Sequence, residues 1–167
     1  MEAKISNQIL SPDDIERILN RMAYQILEQR SDADLYLIGI QENGVLIADR
    51  LYTLIQKISN DLNVYKGAIQ VDKLQPRNPV KCSLPLNQME NSVVIVVDDV
   101  LNTGSTLMYA VRYFLDIPLK QLKAAVLVNR SHKTYPVKAD IKGISLSTST
   151  KEHIEVDFKN QMGVLLK

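Results

Sequence analysis

The chemistry of this chain concentrates in ten consecutive residues, Val97-Asp98-Asp99-Val100-Leu101-Asn102-Thr103-Gly104-Ser105-Thr106. Two adjacent carboxylates stand where an apolar run, residues 92–97 (Ser-Val-Val-Ile-Val-Val), gives out. Four small residues, Thr103 to Thr106, follow where a helix is expected to begin, since Leu107, Ala110, Val111 and Phe114 are spaced for one buried face. The first amides of a helix have no intrahelical acceptor. With hydroxyls around them they suit a phosphate monoester. Gly104 allows close backbone approach. Carboxylates a few residues upstream can hold a polyol or a hydrated Mg²⁺. One loop thus offers a phosphate cradle at one end and a sugar or metal grip at the other, and a sugar phosphate fits that spacing. Taken singly the parts are ordinary: a cap and turn, and a solvated strand end. Their conjunction after a Val/Ile run makes the site. Rival motifs fail on detail. The chain has no Gly-x-x-x-x-Gly-Lys-Ser/Thr loop and no Gly-x-Gly-x-x-Gly after its first strand. In phospho-acceptor receiver domains an Asp-Asp pair follows an early strand, whereas this one lies past the chain's midpoint.

The elements that must position this loop follow from periodicity. Residues 92–97 do not alternate, so the strand is expected to be covered on both faces, as in a parallel sheet. Residues 34–40 and 124–128 read as further buried strands, and 63–71 as another. A first helix begins at Ser11 as N-cap, with Pro12, Asp13 and Asp14 in its first turn and Ile15, Ile18, Leu19, Met22, Ala23, Ile26 and Leu27 as its stripe. A second runs from about 45 to 58, after a loop bounded by Gly39 and Gly44. Residues 72–91 carry three prolines and scattered charges and read as a long loop, a length usually tied to function. The tail after Asp140 gives short strands near 153–158 and 163–166. Strand, helix, strand, helix, strand predicts a single α/β domain over 1–167, doubly wound with a mainly parallel sheet. Ligands then bind beyond the carboxyl ends of the strands.

Composition agrees with one globular domain: 167 residues, 46% hydrophobic and 23% charged. A net charge of +1 supplies no overall footprint for nucleic acid or anionic membrane. No apolar run approaches the ~20 residues of a membrane span, the first residues lack a signal-peptide stretch, and Cys82 is the sole cysteine. The expected setting is cytoplasmic, with no membrane partner.

Residues 94–106 resemble the thirteen-residue phosphoribosyl pyrophosphate (PRPP) signature of type I phosphoribosyltransferases, with Asn102 outside its usual set. Leu37-Ile38-Gly39-Ile40 with Gly44-Val45 is similar to the family's pyrophosphate loop, and Arg21-Met22-Ala23 to its first helix. Leu127-Val128-Asn129-Arg130-Ser131-His132, Pro136-Val137-Lys138-Ala139-Asp140 and Thr148-Ser149 resemble the PyrR branch, pyrimidine-operon attenuators with uracil phosphoribosyltransferase activity. The likeness runs from about residue 10 to 157.

The resemblance implies an Mg²⁺-dependent transfer of ribose 5-phosphate from PRPP to a nucleobase, uracil first among the candidates, with release of pyrophosphate. Asp98 and Asp99 would hold the ribose hydroxyls and reach Mg²⁺ directly or through water. Thr103, Gly104, Ser105 and Thr106, entered through Val100, Leu101 and Asn102, would hold the 5-phosphate. The loop of Ile40, Gln41, Glu42, Asn43 and Gly44 would offer amides to pyrophosphate, often through a strained or cis peptide. Residues 72–91 would form a flexible lid. Residues 129–167 would form a small C-terminal hood, with Asn129, Ile141 and Lys142 at the base. A homo-oligomer is expected. Four departures stand out. Gln41-Glu42-Asn43 replaces a loop that usually carries a lysine and an arginine, which should weaken pyrophosphate binding unless Lys73 or Arg77 compensates. The lid lacks its usual Tyr-Arg start, leaving Lys73, assigned to the catalytic set, as a point charge rather than a fork. Ile141 stands where an aromatic often stacks. Asn129 replaces a lysine common in purine enzymes. His132 and His153 read as loop and surface residues, and Cys82 has no neighbours that would activate it. Two rival functions share the same pocket: an RNA-binding regulator recognising an mRNA leader, and a PRPP binder without catalysis.

Overall fold

The computed structural model describes residues 7–149, 151–160 and 162–167. Its first helix, α1 (Pro12–Glu28), begins as its sequence dictates. The Ser11 hydroxyl accepts from the Asp14 amide at 3.2 Å, and the Asp14 carboxylate accepts from the Ser11 amide at 3.0 Å, closing a capping box ahead of Pro12. Its buried stripe is Ile15, Leu19, Met22, Ala23 and Ile26. That stripe and the face of α2 (Asn43–Ile58) built from Ile47, Ala48, Leu51 and Ile55 cover one side of a six-stranded sheet.

The sheet comprises β2 (Leu35–Ile40), β3 (Val64–Gln70), β4 (Lys81–Cys82), β5 (Val93–Leu101), β6 (Gln121–Arg130) and β7 (Ile141–Leu146), in the order β4-β3-β2-β5-β6-β7. All neighbours are parallel except the β3–β4 pair. On β2, Leu37 joins the α1/α2 core while Ile38 joins the opposite one, which is capped by Leu107, Ala110 and Phe114 of α3 (Ser105–Phe114) and by Met89. Val94 and Val96 against Ile95 and Val97 repeat that split on β5. Both faces are dry, so the sequence has no reason to alternate.

A second, antiparallel sheet, in the order β1-β9-β8, joins β1 (Asn7–Leu10) to the chain's end, β8 (Ile154–Asp157) and β9 (Gly163–Leu166). The hood is therefore assembled from both termini. Residues 129–130 and 141–146, expected in it, instead complete β6 and β7 of the main sheet, because parallel pairing carries those strands on (Asn129↔Ser145, Arg130↔Leu146). The 72–91 excursion divides likewise. Its second half is anchored: Cys82 pairs with Ile69, Ser83 and Ala68 exchange hydrogen bonds, and Met89 is fully buried. Residues 72–75 and 77–79 are exposed. Strand β5 also outruns its apolar segment. Pairing with β6 continues through Asp98↔Val126, Val100↔Val128 and Leu101↔Asn129, so both carboxylates lie on the strand rather than in the loop after it.

Candidate active site

Asp98 is 5% exposed, and its Oδ1 accepts from the Asp99 amide at 2.9 Å. Burial pushes its carboxyl well above the usual carboxylate range. The charge of Asp99 adds to that, and Lys73 opposes it. Asp99 is half-buried: Oδ1 accepts from the Val100 amide at 2.7 Å and Oδ2 from Asn43 Nδ2 at 2.9 Å. The same Asn43 nitrogen donates to the Val156 carbonyl at 3.0 Å. One side chain at the start of α2 thus ties the acid of β5 to the hood.

The loop read from sequence as a phosphate cradle is a short turn into α3. Gly104 has φ 89° and ψ −1°, the left-handed region, and α3 has no side-chain cap at its start. The Ser105 amide turns back to Thr103 Oγ1 at 3.3 Å. The Thr103 carbonyl accepts from the amides of Thr134 (2.9 Å) and Tyr135 (3.0 Å), and Val137 packs where a Gly104 Cβ would project. Asn102 is held by Arg130, whose Nη1 donates to Asn102 Oδ1 at 2.9 Å. Arg130 is 7% exposed and also donates to Thr148 Oγ1 and to the carbonyls of Ser149 and Glu152. It fastens the cradle to the segment that leads into β8.

Residues 40–44 form the second loop, with a cis peptide between Gln41 and Glu42 as the resemblance implies. Gly39 and Gly44 let α2 start hard against the sheet. A Cβ on Gly44 would lie 2.4 Å from the Val97 carbonyl, and one on Gly39 2.5 Å from the Gly44 carbonyl. Glu42 Oε2 pairs with Lys159 Nζ at 2.6 Å. The hydrogen bond and charge of Lys159 hold Glu42 below its usual range, and Glu42 in turn raises Lys159.

Two adjoining clefts open over these loops. One, of about 450 Å³, is lined by Asp98 to Gly104, Thr106, Leu107 and residues 153–156 of the hood. The other, of about 620 Å³, is lined by Gln41, Glu42, Gln70, Val71 and residues 157–160. Asn43, Lys73, Asp99, Glu155 and Val156 line both, so the two run together.

The structure thus brings together Asp98, Asp99, Lys73, Val100, Leu101, Asn102, Thr103, Gly104, Thr106, Gln41, Glu42 and Asn43. It leaves others aside. Ser105 lies outside the lining, Ile40 is fully buried beneath it, and Gly44 packs on β5. Asn129 turns to Ser145 Oγ at 3.3 Å. Ile141 and Lys142 do not cover the cleft. They begin β7, where Ile141 packs near Ile26 and Ile95 beside a cavity of only about 20 Å³, and the Lys142 carbonyl accepts from Arg21 at 3.2 Å. The pairing Ala125↔Ile141 places Ile141 low on the sheet, away from the strands' carboxyl ends. Arg77 belongs to a separate groove with Tyr109 and Arg112, so of the two compensating cations only Lys73 reaches the site. The β8 residues were missed. Their alternation announces a strand, but nothing in it announces a partner. His153 is exposed, as read, yet lies on the cleft rim.

The model of the phosphoribosyl transferase domain family matches residues 6–161. The chain belongs to this family. With that membership it is a PRPP-dependent phosphoribosyltransferase. Curated relatives named bifunctional protein PyrR are similar over nearly the whole chain. That of Streptomyces coelicolor is 32% identical, covering 93% of this chain and 84% of the relative. That of Macrococcus caseolyticus is 34% identical, covering 92% and 95%. Among solved structures, the hypoxanthine phosphoribosyltransferase of Trypanosoma cruzi in complex with the product IMP superposes with a TM-score of 0.78 at 18% identity, over 100% of this chain and 97% of that one. A hypoxanthine-guanine phosphoribosyltransferase of Bacillus anthracis gives 0.78 at 18%, over 96% of each. At that identity the likeness is one of fold, an α/β domain around a mostly parallel sheet.

Proposed function

We propose that this phosphoribosyltransferase acts on uracil, seating PRPP across the joined clefts with its 5-phosphate at Thr103, Gly104 and Thr106, its ribose at Asp98 and Asp99, and its pyrophosphate between residues 41–43 and Lys73. The carrying observation is the continuity of the clefts. A pair of carboxylates stands between an uncapped helix start and a second helix-starting loop. Uracil N1 then bonds to the anomeric carbon as the bond to pyrophosphate breaks, and the N1 proton passes to the released pyrophosphate or to solvent. The site's contribution is alignment by both acids and stabilisation of an oxocarbenium-like transition state by the Asp99 carboxylate. Asn43 fixes the Asp99 carboxylate, and Arg130 fixes the cradle through Asn102. The hood edge, residues 153–156, lines the same cleft as Asp98 and Asp99 and would cover a base bound there.

The donor set fits a cation that arrives with the substrate. Among the described residues no group of three metal-ligating side chains exists, but two carboxylates face the cleft, and Mg²⁺ commonly takes one or two carboxylates together with substrate phosphates. Asp98 and Asp99 would hold it, and it would neutralise the departing pyrophosphate.

Uracil is favoured by the similarity to PyrR proteins. Pyrophosphate release with PRPP, measured across uracil, hypoxanthine, guanine, xanthine and orotate, tests this. Uracil is expected to lead, and a clear preference for hypoxanthine would refute it.

A second reading, a nucleotide-sensing RNA regulator, draws on one contact. The exposed segment with Lys133, Thr134 and Tyr135 is bonded directly to the phosphate cradle through the Thr103 carbonyl, so an occupied cradle can alter that surface. Leader-RNA binding that changes with UMP and weakens with salt would support it. Binding indifferent to both would count against it.

A further inference from the structure

We infer that Lys159 is a pyrophosphate-binding cation of this cleft, and that Glu42 occupies it as a resident anion until substrate arrives. The inference rests on the PRPP reading above and deepens it. Residues 41–43 offer no cation and one acid at the loop where pyrophosphate would lie. The missing charge comes from the other wall. Lys159 follows β8 in a turn fixed by Asp157, whose Oδ1 accepts from the amides of Lys159 (3.0 Å) and Asn160 (2.9 Å). That turn delivers the Lys159 ammonium to Glu42, across 117 residues of sequence, at the mouth of the larger cleft. Lys73 lines the same space, and its charge also acts on Glu42. A pyrophosphate entering therefore meets two lysines and one carboxylate that already occupies one of them.

The pair is not a structural staple. Its side chains are 63% and 75% exposed, a setting in which ion pairs contribute little. Exchanging a monovalent carboxylate for a multiply charged pyrophosphate is then favourable for Lys159. Glu42 must release the ammonium and remains nearby as a like charge. The remaining acids of the space, Asp99, Glu155 and Asp157, make the magnesium complex the appropriate probe.

The test is titration calorimetry of the full chain with magnesium pyrophosphate, and in parallel with PRPP–Mg²⁺. Lys159→Met is expected to bind pyrophosphate about tenfold more weakly, the scale of one lost charge-assisted bond near solvent. Lys159→Arg is expected to restore it. Glu42→Gln is expected to bind severalfold more tightly than wild type, a gain that disappears in the Glu42→Gln/Lys159→Met double variant. Thermal midpoints should stay unchanged throughout. Wild-type affinity in Lys159→Met or in Glu42→Gln, while wild type binds PRPP, overturns this inference alone. A wild-type chain that binds neither probe overturns the PRPP reading, and this inference with it.

Discussion

Replacing Gly104 with alanine probes the proposed phosphate cradle at its tightest point. The residue is held at φ 89°, and an added Cβ would come within 2.5 Å of Val137 Cγ1. The left-handed backbone costs a non-glycine residue roughly 1–2 kcal/mol. Crowding a stiff β-branched neighbour costs about 1–3 kcal/mol more. The sum, about 2–5 kcal/mol, does not exceed the low end of the roughly 5–15 kcal/mol usual for a native domain, so the variant should fold. Urea denaturation should show that loss with an unchanged m-value. The two parts separate in a cycle. In a Val137→Ala background the crowding disappears, and the same substitution should then cost only about 1–2 kcal/mol. PRPP affinity should fall at least about tenfold in Gly104→Ala, because the turn can relieve the strain only by moving the amides it presents. A Gly104→Ala protein within about 0.5 kcal/mol of wild type, binding PRPP equally well, would refute the description of the cradle.

Other expectations concern the acids and their supports. Asp99→Asn should lower turnover by about a hundredfold or more with little change in the circular-dichroism spectrum or thermal midpoint, since a half-buried amide keeps the shape. Asp98 has a folded pKa above its unfolded value of 3.8, so the folded state binds the extra proton. Wild-type stability should fall as pH rises from about 4 through the folded pKa, and Asp98→Asn should flatten that slope in urea melts from pH 4 to 8. Arg130→Met leaves Asn102 and two carbonyls without a buried donor. It should cost about 2–5 kcal/mol and, in steady-state kinetics, raise KM for PRPP more than it lowers kcat.

Much of this molecule is written locally. The capping box at Ser11, the helical stripe of α1 and the unalternating strands announce themselves, because each reflects a nearest-neighbour rule or a two-sided burial. The acids and cradle are legible for the same reason: they occupy one strand–turn–helix unit. Non-local pairing is what escapes. Parallel partners lengthen β5 past its polar residues and carry β6 and β7 to Arg130 and Leu146, and no sequence window contains both partners. Ile141 looks available for a base until its register with Ala125 sets it low in the sheet. The hood pairs residue 7 with residue 166, so His153 and Lys159 acquire their positions only after the ends meet. Asn102 reads as a departure in sequence and as the acceptor of a buried arginine in space.

A crystal structure of the chain with PRPP and Mg²⁺ tests the assignment most directly. The 5-phosphate should lie against the amides and hydroxyls of Thr103, Gly104 and Thr106, the ribose hydroxyls within hydrogen-bonding reach of Asp98 or Asp99, and the pyrophosphate between residues 41–43 and the lysines. A phosphate lodged elsewhere on the protein, with Asp98 and Asp99 out of contact with the ribose, would contradict it.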